Sequence, residues 1–287
     1  MKLSVVIPCF NDSQTIATQL EALSFQQCSE PWEVVVSDNG STDNTITIVE
    51  QYREKLPGLK IVDSSERQGA AHARNQGVLA ATGEAIAFCD ADDEVAPGWV
   101  AAMSKALSHY DFVACKREYH KLNPPWTLKY RPHTQQTGLQ EYKYPPFLPH
   151  ASGSTLGIKR FIHISIGGFD ETMLRLQDTD YCWKVQLSGV KLHFVPDAVV
   201  HYRLRDTLPD LCKQAREWGK YNVLLYQKYQ SQGLPRLPWY SGLIIWIHVV
   251  RRSPHLLSTK YRAKWLWNFA WQVGRLQGCL EYQVWAL

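Results

Sequence analysis

Four acidic residues stand within five positions at Asp90-Ala91-Asp92-Asp93-Glu94, directly after the apolar run Ile86-Ala87-Phe88-Cys89. Carboxylates this close repel one another, and at a buried strand end the repulsion calls for a cation. Hard oxygen donors with room for phosphate suit Mg2+ or Mn2+. Such a cation stabilises the negative charge that grows on a diphosphate as its bond to carbon breaks. The plainer alternative is a solvated acidic turn that favours the N-terminus of the next helix. Polar residues follow two other apolar runs, as Asn11-Asp12 and as Asp38-Asn39-Gly40-Ser41-Thr42-Asp43.

These groups need elements to bring them together. The first 116 residues alternate short β-branched runs with stretches of helical periodicity, the pattern of strands alternating with helices around a mostly parallel sheet. The runs predict strands over 3–7, 33–37, 60–62, 85–89 and 112–116, and helices over about 13–24, 42–56, 70–80 and 98–108. Nearly all-apolar strands are those covered on both faces. In an open α/β sheet ligands collect beyond the carboxyl ends of the strands, which is where the acidic runs fall. Residues 117–152 carry prolines at 124, 125, 132, 145, 146 and 149 and little periodicity, so a long loop that orders on ligand binding is expected there. A helix over about 178–188 and strands near 191–195 and 198–202 complete the compact part. The expected division is a catalytic domain over 1–206 and a helical extension over 207–287.

Composition narrows the class further. A chain of 287 residues with 45% hydrophobic content can bury a full core. Its seven cysteines are scattered and never spaced C-x-x-C, which argues for free thiols in a reducing cytosol. The apolar run at the N-terminus is too short for a signal peptide and meets Pro8 at once. No G-x-G-x-x-G follows the first strand and no G-x-x-x-x-G-K-[ST] occurs, which disfavours dehydrogenases and P-loop phosphotransferases. A nucleotidyltransferase is disfavoured by the lack of a glycine-rich Lys/Arg loop after that strand.

Four ordered segments, Ser4-Val5-Val6-Ile7-Pro8-Cys9-Phe10-Asn11, Ser37 to Asp43, Arg67 to Asn75 and Asp90-Ala91-Asp92-Asp93, resemble the family 2 glycosyltransferases of the GT-A fold. The resemblance implies a nucleotide-sugar donor, UDP- or GDP-linked, and a divalent cation, Mn2+ or Mg2+. It makes Pro8, Asn11 and Asp38 nucleotide-binding residues, and places Gly69, Arg74 and Asn75, in Gly69-Ala70-Ala71-His72-Ala73-Arg74-Asn75, beside the nucleotide. For Arg74 two roles stand side by side: neutralising phosphate, or pairing with an acid in the core. Asp90 and Asp92 match the D-x-D element, with Asp92 the expected metal ligand and Asp90 its partner. Gly167-Gly168-Phe169-Asp170-Glu171 and Gln177-Asp178-Thr179-Asp180-Tyr181 resemble the acceptor-side segments, although Gln177 replaces a common Glu. Asp178 falls where inverting members place the base that takes the proton of the incoming hydroxyl; a helix cap is the alternative. His201, 23 positions further on, matches a histidine metal ligand of related enzymes, against a purely structural strand histidine.

The last quarter differs in kind. Between Trp218 and Leu280 there is no Asp or Glu and there are nine Lys or Arg, and six of the eleven tryptophans lie beyond Trp218. The apolar stretch 239–250 is far too short to span a bilayer. Over 260–276, Tyr261, Trp265, Leu266, Phe269, Val273 and Leu276 recur at helical spacing among basic residues, the pattern of an interfacial membrane helix. Packing of that helix on the catalytic domain is the alternative. The expectation is an inverting, metal-dependent transferase acting on a glycan or lipid-linked acceptor. It would be cytoplasmic and peripheral on the inner face of the membrane, meeting anionic lipid and not nucleic acid. A retaining GT-A enzyme, or a non-catalytic membrane-docking scaffold with a degenerate transferase fold, are the alternatives.

Overall fold

The structure is a computed structural model that describes residues 1–130, 133–142, 145–238 and 240–286; Pro132 and Trp239, used in the reading above, lie outside the described residues. The alternation seen in the sequence becomes β1 (Leu3–Cys9), α1 (Ile16–Ser24), β2 (Trp32–Asp38), α2 (Thr45–Glu50), β3 (Lys60–Asp63), α3 (Ala70–Ala80) and β4 (Ala85–Phe88). There follow β5 (Glu94–Val95), α4 (Trp99–His109), β6 (Phe112–Glu118), β7 (Leu156–Lys159), α5 (Arg160–Ser165), α6 (Gln177–Leu187) and β8 (Leu192–His201).

All seven residues of β1 are buried, because the sheet is covered on both faces. Leu3, Val5, Ile7, Val34, Val36, Ala85 and Ala87 join Leu20 of α1 and Trp99 and Met103 of α4 in one core. The intervening Val6, Val35, Ile86 and Phe88 join Ala71 and Val78 of α3 and Tyr181 and Val185 of α6 in a second. Each strand thus feeds two cores at its period of two.

The eight strands run in the order β3-β2-β1-β4-β7-β6-β8-β5. β3, β2, β1 and β4 pair in parallel. β7 is antiparallel to both β4 and β6, and β8 is parallel to β6. β1, β2, β4, β6 and β8 therefore all end at one edge of the sheet, and that edge carries Asn11, Asp38, the acidic run, Glu118 and His201. The two strands expected over 191–202 are one strand. Its register with β6 jumps from Val195 to Val199, a bulge around Pro196, which has no N–H to give the ladder. The predicted helix over 42–56 is regular only over Thr45–Glu50 and continues as turns with i to i−3 bonds such as Tyr52 N–H to Val49 O.

The described residues of the segment 117–152 have little regular structure, and one of them is firmly anchored. Gln135 is buried; its Nε2 donates to the Cys115 carbonyl and Thr155 Oγ1, both at 2.7 Å, and its Oε1 accepts from the Ser152 N–H at 3.0 Å.

By internal contacts one unit comprises Met1–Leu122, Thr134–Gln140 and Pro149–Arg203, and a second comprises Asn123–His133, Glu141–Leu148 and Leu204–Leu287. The units divide at 203/204, and two pieces of the proline-rich segment belong to the helical unit. Asn123 Oδ1 accepts the Leu204 N–H at 2.7 Å and the Tyr130 hydroxyl donates to the Arg205 carbonyl at 2.6 Å. The helices of this unit are α7 (Leu208–Gln230), α8 (Ser241–Arg251) and α9 (Arg262–Glu281), with a 3-10 turn at Ser253–Leu257. α7 and α9 meet where Gly219 faces the Trp271 carbonyl and Gly274 the Arg216 carbonyl, and a Cβ at either glycine would clash with that backbone. Among the described residues no helix is long and apolar enough to cross a membrane.

Candidate active site

Beyond β4, ligand oxygens of Asp90, Asp92 and Asp93 lie within 4.8 Å of one another. Asp90 and Asp92 are half-buried and Asp93 is buried. Burial, then the charges of Asp92 and Asp90, push the Asp93 carboxyl well above the usual carboxylate range, against hydrogen bonds from the Arg203 N–H and Ser154. One oxygen, Asp93 Oδ2, is buried with no hydrogen-bond partner. Three clustered carboxylates, one with an unpaired oxygen, form a donor set of hard oxygens that a divalent cation would relieve, so the residues present fit Mg2+ or Mn2+.

The cluster is held from two sides. Arg203, just past β8, donates its main-chain N–H to Asp93 Oδ1 at 2.9 Å and its Nε–H to the Asp92 carbonyl at 2.8 Å. The two-residue strand β5 brings it there by pairing Glu94 with His201. From the other side, Arg74 Nη2 donates to Asp90 Oδ1 at 2.5 Å. Arg74 is buried, and its Nε and Nη1 have no hydrogen-bond partner. It therefore pairs with an acid of the site while keeping N–H groups unused. Gly77, one turn on, has no room for a Cβ against Val6 of β1, so α3 lies close on the sheet and fixes the depth of Arg74.

Asp178 faces the same guanidinium. The cap position of α6 is Leu176, in the left-handed region at φ 56°, so Asp178 stands inside the first turn and is not the cap. Its Oδ2 accepts the Gly153 N–H at 3.2 Å and its Oδ1 the Thr179 N–H at 2.8 Å. A Cβ on Gly153 would come within 3.0 Å of Arg74 Nη2, so glycine is what lets this loop lie against both groups. Burial raises the pKa of Asp178, opposed by the Thr179 N–H, Arg74, the Gly153 N–H and Arg117. Arg117, buried in β6, lies over the Tyr202 ring at 3.5 Å.

At the far end of the edge Asn11, in the left-handed region at φ 55°, joins two loops. Its Oδ1 accepts the Thr42 N–H at 2.8 Å and its own N–H donates to Ser41 Oγ at 3.0 Å. Asp38 Oδ1 accepts the Ser41 N–H at 3.0 Å, and Pro8 is buried in β1 beside Ser37. Gly69, at φ 135°, donates its N–H to Asn39 Oδ1 at 2.7 Å. Asn75 is occupied within the chain: its Nδ2 donates to the Phe169 carbonyl and Glu171 Oε1, and its Oδ1 accepts the Phe169 N–H. The geometry makes it a brace between α3 and the Phe169–Glu171 segment. His201 lies outside the carboxylate group; its Nδ1 is 2.7 Å from Glu118 Oε2.

Sequence reasoning counted Asp93 in the acidic run but gave it no ligand role, and it assigned no role of their own to Arg203, Gly153, Arg117, Asn39 or Glu118. No spacing signal reaches Arg203, whose partners lie 110 and 111 positions away.

The sequence profile described as "Glycosyl transferase family 2" matches residues 4–167, and the chain belongs to that family. Its fold is the GT-A fold. One relative is the uncharacterized glycosyltransferase YibD of Escherichia coli K12, 41% identical over 96 residues, which are 33% of this chain and 27% of that protein; the chain thus matches about a quarter of that relative's length. Among solved structures, the mannosyltransferase PcManGT from Pyrobaculum calidifontis, in complex with GDP-Man and Mn2+, is similar with a TM-score of 0.62 at 20% identity, covering 96% of this chain and 86% of that one. S. aureus TarS 1-349 in complex with UDP-GlcNAc is similar with a TM-score of 0.55 at 17% identity, covering 100% and 93%. The acidic group at Asp90, Asp92 and Asp93 stands on this fold.

Proposed function

We propose that the protein is an inverting glycosyltransferase that moves a sugar from a UDP- or GDP-sugar to a hydroxyl of a glycan or lipid-linked acceptor, with Mn2+ or Mg2+. The observation that carries this reading is the shared environment of Arg74, which is paired with Asp90 while its charge acts on Asp178. One buried cation thereby couples the acidic cluster to a carboxylate suited to take a proton.

Pro8, Asn11 and Asp38 shape the nucleotide end, with Gly69 and Asn75 holding the loop and helix beside it. Asp92 and Asp90 hold the metal. His201, which lies outside the carboxylate group, would offer it Nε2, since Glu118 engages the other ring nitrogen. When bound, the metal supplies charge stabilisation to the diphosphate leaving group. The unused N–H groups of Arg74 add donors for phosphate oxygens. Asp178 accepts the acceptor's proton as its oxygen forms the new bond to the anomeric carbon, and the carbon–oxygen bond to the diphosphate breaks with its electron pair going to the leaving group. The basic, tryptophan-rich end suits a membrane-proximal acceptor on the inner face of an anionic membrane.

The test is to incubate the protein with Mn2+, a panel of UDP- and GDP-sugars and oligosaccharide or lipid-linked acceptors, following nucleoside diphosphate release and the anomeric configuration of the product. One donor should be consumed, with inversion. Consumption of no donor would defeat the reading, and retained configuration would defeat its mechanism.

A further inference from the structure

The acid-free segment was expected to meet lipid through the apolar stripe of what is now α9, but part of that stripe is covered. Trp265 donates its Nε1–H to the Val249 carbonyl of α8 at 3.0 Å and stacks on Phe269, with ring centroids 5.1 Å apart. Trp246 of α8 packs edge-on against the same Phe269 at 6.1 Å. α8 faces α9 with Ile245, Trp246 and Val249 and turns four other apolar residues outward. Leu243, Ile244, Ile247 and Val250 are 60%, 45%, 46% and 65% exposed, and Leu257, at the end of the 3-10 turn, is 88% exposed.

Their spacing of one, four and seven places Leu243, Ile244, Ile247 and Val250 on one face of the helix. An outward apolar face of this kind marks an interaction surface. Eleven residues make a helix about 16 Å long, about half the hydrocarbon thickness of a bilayer, so α8 can lie in an interface but cannot span one. Charge selects the occupant. The exposed Arg251 and Arg252 close α8, the exposed Lys260, Arg262 and Lys264 follow, and no acid lies between residues 218 and 280. Pairing this face with its copy on a second chain would bring these cations together without acids of the same segment to balance them. An anionic lipid surface supplies both the counter-charge and the apolar medium.

We propose that α8 and the 3-10 turn behind it dock this protein in the interface of an anionic phospholipid bilayer. Leu243, Ile244, Ile247, Val250 and Leu257 enter the acyl boundary, and Arg251 and Arg252 meet lipid phosphates by snorkelling. This rests on the membrane-proximal acceptor reading and replaces α9 by α8 as the element that inserts.

Flotation of the full chain with vesicles of phosphatidylglycerol and phosphatidylcholine, against phosphatidylcholine alone, tests it. The protein should float with the anionic vesicles, and less so as salt screens the attraction. I244E/I247E should lower the partition coefficient at least tenfold. R251Q/R252Q should lower it and remove most of the salt dependence, while L280E, one added negative charge on exposed α9, should change it less than twofold. Thermal stabilisation by UDP or GDP with Mn2+ should persist in every variant, which shows that each is folded. It also separates the two readings, since loss of nucleotide response in the parent protein would strike the transferase chemistry and leave flotation to be judged alone. Equal flotation of I244E/I247E, an equal loss in L280E, or no anionic binding by the parent would overturn the proposal. So would a dimer in gel filtration that I247E dissociates, which would give the face to a second copy.

Discussion

A carboxylate that takes a proton from an alcohol must first be ionised, and Asp178 is held where burial opposes ionisation while the Thr179 N–H, Arg74, the Gly153 N–H and Arg117 favour it. Burial prevails and the pKa is raised. In the proposed mechanism the base works in its charged form, so its function is present above the folded pKa and lost as pH falls through it. The acid limb of kcat/KM should therefore lie above the ordinary aspartate value of about 4. A limb at or below that value would remove Asp178 as the base. D178N should lower kcat by about 10²–10⁴-fold and leave nucleotide-induced thermal stabilisation in place, because the nucleotide residues lie on other loops. Unchanged turnover would give the base role to another group. Asp178 was legible in the sequence by its place in the Gln177–Tyr181 run. Its Gly153 hydrogen bond was not, since a backbone donor 25 positions away leaves no residue signature.

At the scale of elements, Glu33 ties the beginnings of strands together. Buried at the start of β2, it accepts from Ser4 Oγ of β1 at 2.7 Å and the Thr82 N–H at 2.6 Å, and pairs with Lys2 and with Lys60 of β3. Burial would raise its pKa, but the Thr82 N–H, Ser4 and Lys2 outweigh it and hold the carboxyl at about 2 against an ordinary 4.5. Its contribution to stability is fully present above 4.5 and is lost as pH falls towards 2. E33Q should lower unfolding stability at neutral pH by about 2 kcal/mol in urea titrations. The gap between the two proteins should close as pH drops through that window, and a gap independent of pH would show that the charge is not what matters. The strands themselves were readable because continuous β-branched runs are a local property. The joining of two expected strands into bulged β8, and the existence of β5, were not, since both depend on which neighbour completes the ladder.

For the whole molecule, the clearest consequence of the proposed function is linkage among metal, nucleotide and fold. With nucleoside diphosphate at about a hundred times its Kd, Mn2+ should allow a rise in Tm of roughly 5–10 °C. EDTA should abolish it, and D92N should shift the Mn2+ titration to higher concentration. A nucleotide response indifferent to EDTA and unchanged in D92N would refute the metal role of the acidic run. The sequence by itself determined the alternating α/β architecture, the acidic run after the fourth strand and the basic, acid-free end, because each is written in contiguous residues or a short period. Tertiary structure alone decided that Arg74 pairs with Asp90, that Arg203 holds the Asp92–Asp93 backbone and carboxyl, and that α8 rather than α9 presents the bare apolar face. A charged side chain satisfies its pairing requirement with whatever the sheet order brings near, and an amphipathic helix faces solvent or core according to what covers it. Neither is a property of the segment that carries it.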